Sequence, residues 1–251
     1  MLDAKSERAL AQLTEQMRAA FGPDLVSVVL YGSAAGDDFV PGRSDLNFAI
    51  VLERVTFPLL KVLHRYLPQW HKLGMAMPLL LDRPFLSRAR DAFPMEFHDI
   101  KAQHRVLYGE SVIANLTIDT RHLRYQAEHE ARSKLLRLRG LYAEVGADPK
   151  GLPALMIDSV KTFVIIMRNF IRLQGGAAHS GYIQVLDQFE RHTNLSFPTM
   201  RLLVRVRLGV EPWPETIDRT FAAYLEEVER LVNLIDRTLP ETEAATPAAH
   251  N

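Results

Sequence analysis

Two short stretches of this 251-residue chain carry the residue types that nucleotide chemistry uses. Leu30-Tyr31-Gly32-Ser33 closes an apolar run in a Gly-Ser turn, and Ser44-Asp45-Leu46-Asn47-Phe48 begins eleven residues after Ser33. Glycine lets the backbone approach phosphate oxygens, and the Ser33 hydroxyl together with the N-terminus of a following helix would supply donors and a positive dipole end. Asp45 and Asn47 are two residues apart, so on a strand both side chains leave the same face. Oxygen ligands on one face suit Mg²⁺, which keeps water and substrate phosphates in its shell. With two ions ~3.5–4 Å apart, an attacking hydroxyl and a leaving pyrophosphate are stabilised together. Asn47 stands where the second carboxylate of such a site would be, and its amide oxygen can ligate a cation but brings no negative charge.

The elements that must position these residues are legible around them. Residues 4–20 place Leu10, Leu13 and Met17 at helical spacing, and Gly22-Pro23 stops that helix. Residues 24–31 are a β-branched run, predicted to be a strand buried on both faces that ends at Gly32, and residues 45–52 are predicted to be a second strand. Residues 57–73 look helical, with a break near Pro68, and Met77-Pro78-Leu79-Leu80-Leu81-Asp82 reads as a short third strand entering a turn at Pro84. Residues 93–108 are ambiguous between helix and strand: Met95-Glu96-Phe97-His98-Asp99-Ile100 alternates like a strand, and Arg105-Val106-Leu107-Tyr108 before Gly109 is a further strand candidate. From about Asp119 the pattern changes to long helical periodicity, with helices at roughly 120–145, 152–174, 180–193, 198–208 and 215–238.

The fold class expected is therefore α+β: a small mixed-sheet domain at 1–115, an all-α bundle at 116–239, and a tail at 240–251 too poor in apolar residues to order itself.

The Gly32-Ser33 turn followed by Ser44-Asp45-Leu46-Asn47 resembles the motif of the polymerase-β-like nucleotidyltransferase superfamily, a Gly-Ser turn and then Asp-x-Asp on the next strand. The helical second half resembles that of aminoglycoside adenylyltransferases, and also the helical partners of minimal nucleotidyltransferases. The resemblance implies Gly32 and Ser33 as nucleotide-binding residues, Asp45 and Asn47 at the metal position, Mg²⁺ as cofactor, and ATP or another NTP as substrate with a hydroxyl-bearing acceptor. It also implies a third acidic residue on a neighbouring strand. The central third-strand positions are Leu79, Leu80 and Leu81, which leaves Asp82 as the catalytic candidate and Glu96 and Asp99 as substitutes. Asp82 also suits a helix cap, since it stands just before Pro84. Two functions follow as alternatives: nucleotidyl transfer, or a catalytically inactive nucleotide-binding or protein-interaction module that keeps the fold and loses the chemistry.

Composition restricts the partners. Thirty basic and thirty acidic residues leave no global field for nucleic acid or an anionic membrane, so a long nucleic acid is the least favoured acceptor, and a homodimer is left open. No cysteine is present, which excludes disulfides and thiolate zinc and agrees with a cytoplasmic setting. Residues 1–21 mix charges among apolar residues and lack the apolar core of a signal peptide. Phe163-Val164-Ile165-Ile166-Met167, bounded by Lys161 and Arg168, is too short to span a membrane and reads as the core stripe of a buried helix. Arg121, Arg124, Arg132, Lys134, Arg137 and Arg139 crowd one helix. They read as a solvated face with i,i+4 partners, or as cations that meet a triphosphate if the bundle packs across the cleft. The histidines show no zinc spacing.

Overall fold

The run Leu25-Val26-Ser27-Val28-Val29-Leu30 is branched and apolar at nearly every position, as a strand covered on both faces must be. In the computed structural model, which describes residues 2–36, 38–88, 93–118, 122–146, 148 and 150–238, it forms β1 (Leu25–Tyr31) inside a four-stranded sheet. The order is β3-β2-β1-β4, with β2 at Asn47–Leu52, β3 at Leu79–Asp82 and β4 at His104–Gly109. Both β2 and β4 are antiparallel to β1, whereas β3 is parallel to β2. Ser27, fully buried, donates its hydroxyl to the carbonyls of Tyr108 and Glu110 at 3.0 and 2.8 Å, which satisfies it.

One face of the sheet is covered by α1 (Ala4–Phe21), which starts where the Asp3 carboxylate accepts the Ser6 N–H at 2.8 Å. Its Leu10, Leu13 and Met17 pack with Val28, Leu30, Phe48, Ile50 and Trp70. The helix expected over 57–73 is two helices, α2 (Phe57–His64) and α3 (Leu67–Lys72), because Pro68 sits in the first turn of α3 and cannot continue the preceding hydrogen-bond ladder. The second strand is shorter than expected. Asp45 precedes it, and Leu46 makes only an isolated bridge to Met75.

The opposite face is covered by a helix where alternation suggested a strand: α5 (Pro94–Ala102), which follows the short α4 (Arg83–Arg88). Pro94 at its first position favours a helix start. Phe97 and Ile100 of α5 pack on Val29, Ala49, Val51 and Leu81, while Met95 belongs to the core of the helical half. A helix that touches two cores has apolar residues on two sides, and in sequence that spacing mimics a strand.

The five later helices agree with the periodicity to within a few residues: α6 (Leu123–Val145), α7 (Gly151–Leu173), α8 (Tyr182–Thr193), α9 (Pro198–Arg207) and α10 (Ile217–Thr238). Their core is built around α7, whose Phe163, Ile166, Met167, Phe170 and Ile171 are all buried. Several cations of α6 have acidic neighbours: Arg132 bonds Glu128 and Asp236, Lys134 approaches Glu130 at 3.6 Å, and Arg139 bonds Glu229 at 2.6 Å. Arg121 and the tail expected at 240–251 lie outside the described residues. No helix among the described residues is long and apolar enough to cross a membrane.

The start of α9 depends on α10. Glu227, only 3% exposed, accepts the N–H groups of Thr199 and Met200 at 2.7 and 2.8 Å, donors that a helix start leaves without intrahelical partners. Glu227→Leu is expected to strand both donors and to lower stability by about 1–3 kcal/mol. A urea unfolding midpoint equal to that of the native chain would refute this.

Candidate functional site

A cavity of about 480 Å³ opens where the end of the sheet meets the helices, a size usual for small-molecule sites. Tyr31, Gly32, Ser33, Asp45 and Asn47 form its sheet-side wall, and Leu79, Leu81 and Phe97 its apolar wall. The helical half contributes Glu130 and Lys134 from α6, Lys161, Thr162 and Arg168 from α7, Tyr182 from α8 and Arg207 from α9.

Register builds the sheet-side wall. Tyr31 pairs with Asn47, so the residue after β1, Gly32, lies beside the start of β2. Gly32 has φ +71°, a left-handed value that favours glycine, and a Cβ there would stand 3.6 Å from Asn47 Nδ2. Its N–H donates to the Gln103 carbonyl at 3.0 Å, and a 3-10 turn over Gly32–Ala35 presents Ser33 to the cavity. Gly36 leaves the space in which Gln103 packs, since a Cβ at Gly36 would overlap Gln103 Nε2.

The segment that leads to Asp45 is fastened to the helices. Asp38, 8% exposed, accepts the Tyr182 N–H at 3.0 Å, and Arg43 Nη1 donates to the Val206 carbonyl at 3.1 Å. Asp45 itself is exposed and Asn47 half-buried. On the far side of the cavity α5 is tied to α7 by charge. Asp99 lies 2.6 Å from Arg172 Nη1 and 3.5 Å from Arg168 Nη1, and Arg168 also donates to the Ser180 carbonyl. Gln126 of α6 accepts the Met95 N–H at 2.9 Å and donates to Glu96 at 2.5 Å. Burial raises the Tyr31 and Tyr182 hydroxyls above their ordinary pKa, so both remain protonated donors near neutrality. Burial, and then the Arg172 charge, lower the His98 imidazole below its ordinary value, which keeps it neutral there.

Of the residues singled out in the sequence, Gly32, Ser33, Asp45 and Asn47 share this cavity, and Asp82 does not. Asp82 pairs with Leu52, five residues beyond Asn47 and roughly 16 Å along the sheet at ~3.3 Å per residue. Alternation also turns it away, because Leu79 and Leu81 are the β3 residues that face the cavity. Its carboxylate accepts the Val55 N–H at 3.0 Å and the Phe85 N–H at 2.8 Å, and these bonds, Val55 first, hold it below the usual carboxylate range. The capping alternative is the one its geometry matches. Glu96 and Asp99 do line the cavity, but from a helix, and the contacts already given engage both.

Few of these donors suit magnesium. The cavity offers Asp45 as carboxylate and Asn47 as amide, with leucines at the adjoining β3 positions, and no group of three or more His, Cys, Asp or Glu suited to a metal ion occurs among the described residues. That donor set does not fit the two-ion arrangement. Sequence reasoning missed Gln103, Lys161, Arg168 and Arg207 as cavity residues. For Lys161 and Arg168 a signal existed: each is a charge at the edge of an apolar run, and Arg168 is 3% exposed.

Among solved structures the chain is similar to spectinomycin adenyltransferase AAD(9) from Enterococcus faecialis, determined with ATP and spectinomycin, with a TM-score of 0.59, 12% sequence identity, and coverage of 92% of this chain and 99% of that one. A nucleotidyltransferase-like protein from Exiguobacterium sibiricum also matches, with a TM-score of 0.36 and 13% identity over 91% of this chain and 76% of that one. No protein-family model and no curated protein matches the chain. The fold shared with the spectinomycin adenyltransferase is a small mixed sheet followed by a helical part.

The two acids are expected to behave differently when removed. Asp99→Ala deprives buried Arg168 of its counter-charge and should lower stability by about 3–5 kcal/mol in denaturant unfolding. Asp82→Ala should cost about 1 kcal/mol as a lost cap and leave ligand binding at the cavity unchanged. Ligand binding abolished in folded Asp82→Ala would contradict that assignment.

Proposed function

We propose that this chain binds a nucleoside triphosphate in the cavity between its sheet and its helices, and that efficient two-metal nucleotidyl transfer has been lost. The single observation that carries this reading is the Gly32-Ser33 turn set beside Asn47 and Asp45 on a cavity of about 480 Å³. The unit 1–115 would supply the phosphate-facing turn, through the Gly32 backbone and the Ser33 hydroxyl, and the unit 116–239 the opposing cations. The similar spectinomycin adenyltransferase, determined with ATP, supports ATP as the first nucleotide to test. Loss of transfer is argued from the donor set: Asn47 has no charge, Leu79 and Leu81 occupy the neighbouring strand, and Asp82 serves as a cap. What the residues themselves do is hold the phosphate chain, exclude water with Leu79, Leu81 and Phe97, and orient the nucleotide between the two halves.

A second reading keeps Mg²⁺-dependent transfer of a nucleotidyl group to a hydroxyl-bearing acceptor. In its favour, Asp45, Asn47 and Ser33 line one cavity. When bound, a Mg²⁺ ion at Asp45 would offset charge on the phosphates.

Thermal unfolding with each NTP separates these readings from an empty scaffold. At about 100-fold excess over Kd a bound NTP should stabilise the native chain by about 2.7 kcal/mol, and Ser33→Ala should reduce the shift. Pyrophosphate release with small hydroxyl acceptors should be absent from the native chain. Release that Asp45→Ala abolishes would establish the second reading instead, and no response to any NTP would exclude both.

A further inference from the structure

The metal-poor wall of the cavity faces a cation-rich one. Lys134, Lys161, Arg168 and Arg207 all line it. Lys134 has Glu130 at 3.6 Å and Arg168 has Asp99 at 3.5 Å. Lys161 and Arg207 are half-buried and have no ion-pair partner among the described residues. Like charges held at one partly desolvated cavity repel each other more than they would in water, and an anion between them reverses the sign of that interaction.

Two buried donors point the same way. Arg168, 3% exposed, and Gln103, 7% exposed, both line the cavity, and Arg168 Nε and Gln103 Nε2 have no hydrogen-bond partner among the described residues. Buried donors without an acceptor are rare in native folds, and an accepting ligand atom at the cavity would satisfy both. None of the four carboxylates that line the cavity accepts from these two donors: Glu96 accepts from Gln126, Asp99 from Arg172, Glu130 pairs with Lys134, and Asp45 is exposed. The complementary ligand carries several negative charges and only acceptor oxygens, which is the chemistry of a polyphosphate chain.

Resting on the nucleotide reading, we propose that Lys161, Arg207, Arg168 and Gln103 form a metal-independent polyphosphate subsite, in which the protein's own cations and buried donors take the place of magnesium. A metal ion on the phosphates would cancel negative charge that these cations complement, so the free polyphosphate is the favoured ligand. The Gly32-Ser33 turn would hold the phosphate chain from the sheet side, opposite α7 and α9.

The test is titration calorimetry on the full chain with ATP and, separately, with inorganic tripolyphosphate, each in EDTA and in excess Mg²⁺. Both ligands should bind in EDTA at least as tightly as with Mg²⁺, and the double variant Lys161→Ala/Arg207→Ala should weaken both by at least about tenfold. Should the double variant fail to fold by circular dichroism, Lys161→Gln and Arg207→Gln are measured singly, each expected to weaken binding by about threefold or more. ATP that binds only with Mg²⁺, or EDTA binding unchanged in the folded variants, overturns the subsite and leaves the nucleotide reading standing. Tripolyphosphate that binds in EDTA while no NTP does keeps the subsite and removes the nucleotide reading. Absence of binding by either ligand in both buffers removes both.

Discussion

The arrangement of this molecule depends on one buried cation. Arg168 sits in the last turns of α7, at the edge of its apolar run and 3% exposed, where an unpaired charge would not be tolerated, and its partner Asp99 comes from the other half of the chain. Arg172, one turn further along, shares the same carboxylate at 2.6 Å. This cluster orients α5 between the sheet and the helices, and α5 in turn places Met95 in the helical core and Phe97 and Ile100 under the sheet. The hydrogen bond that Asp38 accepts from α8 and the one that Arg43 donates to α9 fasten the opposite rim. The cavity is the space left between these two sets of contacts, so its walls are drawn from both halves.

Within that space the period of the strand determines which chemistry is present. Side chains alternate between faces, so a three-leucine strand offers the cavity Leu79 and Leu81, while Leu80 and Asp82 turn away. A shift of one residue in β3 would have exchanged these sets. The Asp82 carboxylate, the sequence's candidate for a metal site, accepts the N–H groups of Val55 and Phe85 and so secures a turn. Polar character at the cavity comes instead from helices, through Lys161, Arg168 and Arg207, and from Gln103 at the junction of α5 and β4. The sheet side of the site is poor in negative charge and the helical side is rich in positive charge. Together they favour an anionic ligand that arrives without a metal ion.

Much of this was legible in the chain. The Gly-Ser turn, the strand that enters it and the strand that leaves it could be read because their signals are local: β-branched runs, glycine, and an acid and an amide two residues apart. The helices after residue 122 could be read for the same reason. The segment around Met95 was ambiguous because its apolar residues serve two cores, and one-dimensional periodicity describes a helix with a single buried face. Asp82 was ambiguous because an acid before a proline suits either a cap or a strand end, and register alone separates them.

By itself, then, the sequence determined the element types apart from α5, the α+β class and the proximity of Gly32, Ser33, Asp45 and Asn47, since each follows from contacts between residues close in the chain or on adjacent strands. Tertiary structure alone decided which charges face that turn. Lys161, Arg168 and Arg207 are more than a hundred residues from Ser33, and no local pattern encodes a juxtaposition that arises only when a buried arginine finds its carboxylate across the two halves.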